Sequence, residues 1–184
     1  MATLNEALVN IIVADYVGVD AAAKVNILGG GFSITSVQPT GLTAPQHVVA
    51  IVDLPPDFAG QQVGVTLELR DHTTGNAARM IGPSGQPEAL RISQLVKIEA
   101  PQIPGYYLPP DMPCRTQVAL AFPNGLQLEA GHHYAWHVRL DDTTSKGWRA
   151  QFHVAGPPPP PVFGGPAGPS NIEGVFGAEP EDRG

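Results

Sequence analysis

Cysteine is nearly absent from this chain, which excludes several kinds of chemistry at once. It occurs once in 184 residues, as Cys114. A single thiol forms no disulfide within the chain, and without a neighbouring cysteine it builds neither a zinc ribbon nor a dithiol redox pair. We therefore expect Cys114 to be a lone thiol in a loop or at the start of a strand.

Charged residues are also scarce. They make up 15% of the chain, against about a quarter in an average globular protein. The formal net charge is −7, from 17 acidic and 10 basic residues, and the basic residues form no run. This distribution argues against nucleic acid as a main partner and against binding to an anionic membrane surface. We predict neither partner.

Long apolar segments are missing as well. The apolar run from Ala7 to Tyr16 is interrupted by Asn10 and Asp15, and no basic region precedes it. This pattern is neither that of a signal peptide nor that of a membrane span. We predict a chain that is made and folded in a cytoplasm, where it remains unless it later joins a virion.

The clearest pattern in the sequence lies between residues 131 and 154 and predicts a β-hairpin. Large apolar side chains alternate with mostly polar ones on both sides of a polar turn at residues 141–147. Such alternation is typical of strands with one buried face. The buried face consists of Tyr134, Trp136, Val138, Leu140, Trp148, Ala150, Phe152 and Val154. Because a two-stranded ribbon cannot bury both tryptophans, another layer has to cover them.

Histidines are the candidate metal ligands of this hairpin. His132 and His133 face opposite sides of the strand, and His133 and His137 lie roughly 13 Å apart along it. In one register of the hairpin His137 faces His153, and in a second register it faces Gln151. Two histidines on a solvent-facing sheet surface make a weak metal site, so we predict no functional metal.

Seven further segments are short and apolar or alternating, and they predict strands at residues 7–14, 24–28, 32–37, 47–54, 63–70, 90–100 and 117–122. The first of them is short, mostly apolar and rich in β-branched residues, and it predicts a buried strand. With 20 prolines and 21 glycines, the chain disfavours long helices. We predict an all-β fold, an antiparallel β-sandwich of about eight to nine short strands. Residues 15–20 are expected to turn the chain, and residues 71–87 and 101–113 to form long surface loops.

No arrangement of residues predicts catalysis. Gly29–Gly31 lacks the Lys-Ser/Thr pair that completes a phosphate-binding loop, and the serines lack the setting of a nucleophile elbow. The carboxylates fall mostly in turns, so no acid–base pair can be assigned. We predict no catalytic residue, no cofactor and no enzymatic activity.

Residues 156–184 differ in composition from the rest and predict a Gly/Pro-rich C-terminal arm beyond a sandwich domain of residues 1–155. Fifteen of these 29 residues are Gly or Pro, including five consecutive prolines at 157–161 that favour a stiff extended rod. A plain disordered tail usually lacks aromatic residues. We expect either a solvated tail or an arm that docks on a neighbouring subunit through its apolar residues Val162, Phe163, Ile172, Val175 and Phe176.

Two parts of the sequence resemble a known family. Residues Ala14–Tyr16, Val19–Asp20 and Lys24–Phe32 resemble the opening of a family of small β-sandwich proteins of unassigned function from bacteria and their phages. Residues Gly131–Val138 resemble the closing strands of that family, and the resemblance extends over roughly residues 3–154. It implies a sandwich fold and supplies no catalytic residue.

These observations favour a non-catalytic structural or interaction protein. Because the family that the chain resembles occurs in phages, the most specific form of this hypothesis is a phage capsid-associated protein, either a minor capsid or a head decoration protein, that docks on a protein lattice. The expected partners are capsid or other particle subunits, or further copies of this chain in a homo-oligomer. The contacts would come from the apolar residues of the arm and from Tyr106 and Tyr107 in the second long loop. The alternative is a cytoplasmic small-molecule or glycan-binding module that uses these tyrosines and a histidine.

Overall fold

A computed structural model of this chain describes residues 2–20, 24–82 and 84–156. Within these ranges the regular structure is β, apart from single 3-10 turns at Leu4–Glu6 and Pro56–Phe58. The described strands are β1 Leu8–Ala14, β2 Tyr16–Val19, β3 Val25–Leu28, β4 Ile34–Ser36, β5 Gln46–Leu54, β6 Gln62–Asp71, β7 Arg79–Ile81, β8 Pro87–Ala89, β9 Arg91–Lys97, β10 Cys114–Phe122, β11 His133–Leu140 and β12 Thr143–Ala155.

Two sheets form the body of the fold. One has three antiparallel strands in the order β1-β5-β10. The other has five strands in the order β4-β12-β11-β6-β9, all antiparallel except that β4 runs parallel to β12. A single apolar cluster takes residues from both sheets. The prediction of an all-β, sandwich-like fold is therefore confirmed, with the parallel pairing of β4 as its one departure from an antiparallel arrangement among the described strands.

The core consists of the alternating apolar residues of the long strands. Strand β5 contributes Val48, Ala50, Val52 and Leu54, and strand β6 contributes Val63, Val65, Leu67 and Leu69, all at most 1% exposed. Each of these valine and leucine side chains stabilises the fold by roughly 1.5 to 3 kcal/mol on burial. Trp136 and Trp148 enter the same core, and Phe122 of β10 stacks on Trp136 with ring centroids 5.5 Å apart. The three-stranded sheet is thus the layer that covers the tryptophans.

Strands β11 and β12 form the predicted hairpin, but in neither predicted register. Leu140 pairs with Thr143, so only two residues connect the strands, and β12 begins inside the segment predicted as a turn. His137 pairs with Arg149. The predicted pairings of His137 with His153 or with Gln151 are therefore wrong, since both assumed a long turn and a regular ladder.

A bulge in β12 explains why Trp148 still faces the core in this register. Arg139 pairs with Thr144 and His137 pairs with Arg149, so Val138 alone lies opposite residues 145–148. In an uninterrupted strand Trp148 would share the outer face with Thr144, because side chains alternate with period two. The extra residues return Trp148 to the core, where it is 6% exposed.

The ribbon of β2 and β3 covers part of the outer face of the three-stranded sheet. Val17 of β2 packs with Ala14 and Val49 in a second, smaller apolar cluster. The prediction that residues 15–20 turn the chain is therefore wrong, since residues 16–19 are extended and pair with residues 25–28. The strand has only four residues and contains a glycine, which weakens its sequence pattern.

Two other predictions need correction. The segment 71–87, predicted as a loop, contains β7 and the start of β8, which pair with each other. With β2, these short strands raise the number of strands in the described residues from the predicted eight or nine to twelve.

Strand β1, predicted to be buried, is buried only in its second half: Leu8 at the sheet edge is 67% exposed, whereas Val13 and Ala14 are buried. Cys114, by contrast, begins β10 as a buried free thiol, in agreement with the sequence.

Candidate functional site

The loop from Pro101 to Pro113, between β9 and β10, carries the two tyrosines predicted to bind a partner. Tyr106 is 75% exposed and Tyr107 is 89% exposed. Ile103 in the same loop is also exposed. The loop therefore turns large apolar side chains toward solvent, in agreement with the sequence, while their role in binding stays a prediction.

A tight turn gives this loop a defined shape. The backbone N–H of Tyr106 donates a hydrogen bond to the carbonyl of Ile103, with a donor–acceptor distance of 3.1 Å. Pro104 and Gly105 lie between them, and Gly105 has a φ of 80°. Proline at the second position and a positive-φ glycine at the third are typical of a type II turn. The tyrosines follow directly after this constrained segment.

The other predicted partner-binding residues lie outside the described part of the chain. They are Val162, Phe163, Ile172, Val175 and Phe176. Their role, and that of the arm, also stays a prediction.

Four histidines form two pairs on the outer face of the five-stranded sheet. The Nε2 atoms of His72 and His137 lie 2.9 Å apart, and the rings of His133 and His153 have centroids 4.5 Å apart. Sequence reasoning found neither pair, because His72 lies outside the hairpin and because both assumed registers were wrong. Over the described ranges, no group of three or more His, Cys, Asp or Glu side chains is placed to hold a metal ion.

A cavity next to the histidines bears on the predicted glycan-binding alternative. It is lined by Ser33, His72, Thr73, His133, Gln151, Phe152 and His153. Neither Tyr106 nor Tyr107 is part of this lining. The shallow site of tyrosines and a histidine is therefore not assembled at this cavity.

Asp71, at the end of β6, organises the turn that carries His72. Its carboxylate accepts hydrogen bonds from the Thr73 backbone N–H at 2.8 Å, from Nδ1 of His132 at 2.8 Å and from the Thr74 hydroxyl at 2.9 Å. Burial alone raises the pKa of Asp71, but these hydrogen bonds outweigh it, so its pKa lies below the usual value. The network thus holds an ionised carboxylate at the edge of the histidine face.

A second cavity on the outer face of the same sheet is rich in cationic side chains. Its volume is about 330 Å³. Five of the ten basic residues of the chain line it, namely Arg70, Arg91, Arg139, Lys146 and Arg149. Glu68 is the one acidic residue in this lining. The cavity, which we call the cationic cavity, therefore has four positive charges in excess although the chain as a whole is acidic.

Glu68 neutralises only part of this charge. Its carboxylate lies 3.2 Å from the guanidinium of Arg70 and 2.9 Å from that of Arg91. Burial raises the pKa of Glu68, but the two arginines outweigh that effect and bring its pKa below the usual value. The other three cations of the cavity form no ion pair with any acidic residue that the structure describes.

His137 lies at the edge of both the histidine pairs and the cationic cavity. Burial lowers the pKa of His137, and repulsion from His72, Arg70 and Arg149 lowers it further. The imidazole is therefore neutral at pH 7 and adds no positive charge of its own.

The cationic cavity is a second feature that sequence reasoning missed. Its cations come from β6, β9 and the β11–β12 hairpin, three segments that are separate in sequence and adjacent in the sheet. A partial signal is present in the sequence, because Arg70, Arg139 and Arg149 occupy polar positions of alternating strands. That signal becomes a site only when the strand order is known.

Comparison with known proteins assigns no family to this chain. No protein-family model matches this chain, and no curated protein matches its sequence. The resemblance to small β-sandwich proteins of bacteria and phages therefore stays a prediction.

None of the helical segments in the described part of the chain is long and apolar enough to cross a membrane.

Proposed function

We propose that this protein is a non-catalytic structural protein that docks on other protein subunits, specifically as a minor capsid or head decoration protein of a phage particle. The observation that supports docking is the exposure of Tyr106 and Tyr107 at 75% and 89% in the loop from Pro101 to Pro113. Adjacent tyrosines that face water in this way expose a large apolar area, which contact with a partner would remove from water.

Residue type and backbone both favour this loop as a contact surface. Tyrosine is enriched among the residues that contribute most of the binding energy at protein interfaces. The loop contains five prolines, and the turn at Pro104 and Gly105 fixes the chain just before the tyrosines. A loop that is already ordered loses less conformational entropy when it binds.

The capsid part of the proposal is supported by the family resemblance and by charge. A net charge of −7 suits a protein on the outside of a particle, away from packaged nucleic acid. The arm with its apolar anchors would extend the contact to a neighbouring capsid subunit or to a second copy of this chain. The chain would then be located in the virion.

The experiment measures binding of the purified full chain to phage shells that lack it, by co-sedimentation over a range of chain concentrations. We expect the double variant Tyr106→Ala/Tyr107→Ala to lose at least about tenfold in affinity, since a hot-spot residue contributes about 2 kcal/mol or more. The matched control is Leu95→Ala, which removes an apolar side chain that is 67% exposed on β9. This control should bind as the wild type does.

Two results would contradict the proposal. If the double variant keeps its circular dichroism spectrum and binds shells as tightly as the wild type, the loop is not the docking surface. If the wild-type chain binds no shells, the capsid role is wrong. A further variant, Phe163→Ala/Phe176→Ala, tests the arm separately and should weaken shell binding without unfolding the sandwich.

A further inference from the structure

We propose that the cationic cavity binds a compact oxyanion, the phosphate or sulfate group of a small ligand. It is lined by cations from four neighbouring strands of the five-stranded sheet. The tyrosine loop is not part of its lining. This inference therefore goes beyond the proposed docking function and does not depend on it.

The first support is uncompensated charge. Five cations line the cavity against one carboxylate, and that carboxylate is already engaged by Arg70 and Arg91. Arg139, Lys146 and Arg149 are left without an acidic partner among the described residues. Like charges gathered in one cavity repel each other, and a bound anion removes that repulsion.

The second support is a buried donor without an acceptor. The Nε atom of Arg139 is buried and has no hydrogen-bond partner in the described part of the chain. Buried polar groups in folded proteins are almost always paired. Arg139 lines the cavity, so a small movement of its side chain would let an oxyanion bound there accept a hydrogen bond from its guanidinium. A planar guanidinium also matches the geometry of phosphate and sulfate oxygens.

The third support is that the cavity results from a specific irregularity of the sheet. The bulge between β11 and β12 places residues 145–148 opposite Val138 alone. Ser145 and Lys146 of this bulged segment line the cavity together with Thr144. The bulge therefore adds one hydroxyl group and one cation to a sheet surface that a regular ladder would leave flatter, next to the hydroxyl group of Thr144. Bulges frequently redirect side chains in this way next to functional sites.

Size and overall charge favour a small anion over a polyanion. A cavity of about 330 Å³ is at the lower end of the range for small-molecule sites. The net charge of −7 repels a long nucleic acid, whereas a compact anion inside the cavity interacts mainly with charges within a Debye length of about 8 Å. The depressed pKa of His137, which Arg70 and Arg149 lower in addition to burial, agrees with a locally positive potential.

The test is a titration of the full chain, labelled with nitrogen-15, with inorganic phosphate and separately with sulfate, followed by amide chemical shifts. Sodium chloride keeps the ionic strength constant. We expect saturable shifts at residues 66–70, 137–139 and 144–149. A larger shift and higher affinity with phosphate would assign a phosphate-bearing ligand, and the reverse a sulfate-bearing one.

Variants place the binding in the cavity. The double variant Arg139→Gln/Arg149→Gln should lose at least about tenfold in affinity, since it removes two charge-assisted donors. The matched control is Arg115→Gln, because Arg115 lies on the three-stranded sheet and pairs with Asp53 at 2.7 Å. The control should bind within about twofold of the wild type. If the double variant does not fold, Lys146→Gln, at an exposed position, should still lose severalfold in affinity.

Three outcomes would overturn the inference. The first is the absence of saturable shifts at these residues with both anions. The second is an equal loss of affinity in Arg115→Gln and in the cavity variants, which would show unspecific attraction to surface charge. The third is binding of a short single-stranded oligonucleotide without binding of phosphate or sulfate, which would make this face a nucleic-acid surface.

Discussion

Replacing Asp71 tests whether the polar network at the end of β6 stabilises the whole sandwich. Asp71 is buried, and its carboxylate accepts short hydrogen bonds from Thr73 and His132, both at 2.8 Å. Asp71→Ala removes this acceptor and leaves the Thr73 N–H without its partner. Taking about 1.5 kcal/mol for each of two hydrogen bonds to a charged group gives an expected loss of about 3 kcal/mol. For a domain of this size, that loss corresponds to a fall in Tm of roughly 6 to 12 °C.

The pH dependence of this loss has a definite sign. The pKa of Asp71 is lower in the folded protein than its usual value, so the unfolded chain binds more protons as the pH falls. The stabilisation is complete above the usual aspartate pKa of about 3.9 and is lost as the pH falls through the lower, folded value. The difference in stability between wild type and Asp71→Ala should therefore be largest near pH 7 and should shrink in acid.

Urea unfolding at a series of pH values, followed by tryptophan fluorescence, measures this difference directly, because Trp136 and Trp148 are both buried. Asp111→Ala is the matched control, since Asp111 is an exposed aspartate in the proline-rich loop. If Asp71→Ala lowers the free energy of unfolding at pH 7 by no more than this control does, the network does not stabilise the sandwich. If Asp71→Ala lowers it equally at pH 7 and at pH 3, the ionised carboxylate is not the stabilising group.

Two further predictions concern backbone positions. Gly125 and Gly41 both have positive φ, but a Cβ at Gly125 would overlap a backbone carbonyl, whereas a Cβ at Gly41 meets open space. Gly41→Ala should lower the free energy of unfolding in urea by about 1 to 2 kcal/mol, and Gly125→Ala should lower it clearly more. Equal losses in the two variants would contradict the clash at Gly125. Asp141 has a φ of 47° and its carboxylate accepts a backbone N–H of β6 at 2.7 Å. Asp141→Asn should therefore be nearly neutral and Asp141→Ala should cost about 1 to 2 kcal/mol, whereas similar melting curves for the two variants would count against this role.

The sequence was sufficient to predict the core because burial leaves a local signal. Each long strand alternates, so the inward residues of β5, β6 and β11 can be read without knowledge of their neighbours. The exposure of Tyr106 and Tyr107 could be predicted for a similar reason, because the prolines around them exclude regular strand or helix. Strand β2 was missed since four residues with a central glycine are too short to show a period.

The candidate site could not be predicted because it depends on pairing rather than on pattern. The contact between His72 and His137 requires that β6 pair with β11. The cationic cavity requires in addition that β9 pair with β6, and that β12 contain a bulge of specific length. A ladder of alternating residues fixes which face a side chain takes, but not which side chains from other strands share that face.

The two outer faces of the sandwich differ in what covers them, and this difference favours one face for binding a ligand. On the three-stranded sheet, the ribbon of β2 and β3 packs over Val49 and closes part of the surface with apolar contacts. On the five-stranded sheet, the outer face keeps histidines, arginines and hydroxyl groups around its cavities. The apolar outward residues of the three-stranded sheet are thus covered by a further layer, and this contact stabilises the fold. On the other sheet, the outward cations Arg139, Lys146 and Arg149 have no acidic partner among the described residues, which is why an anion is the expected occupant there.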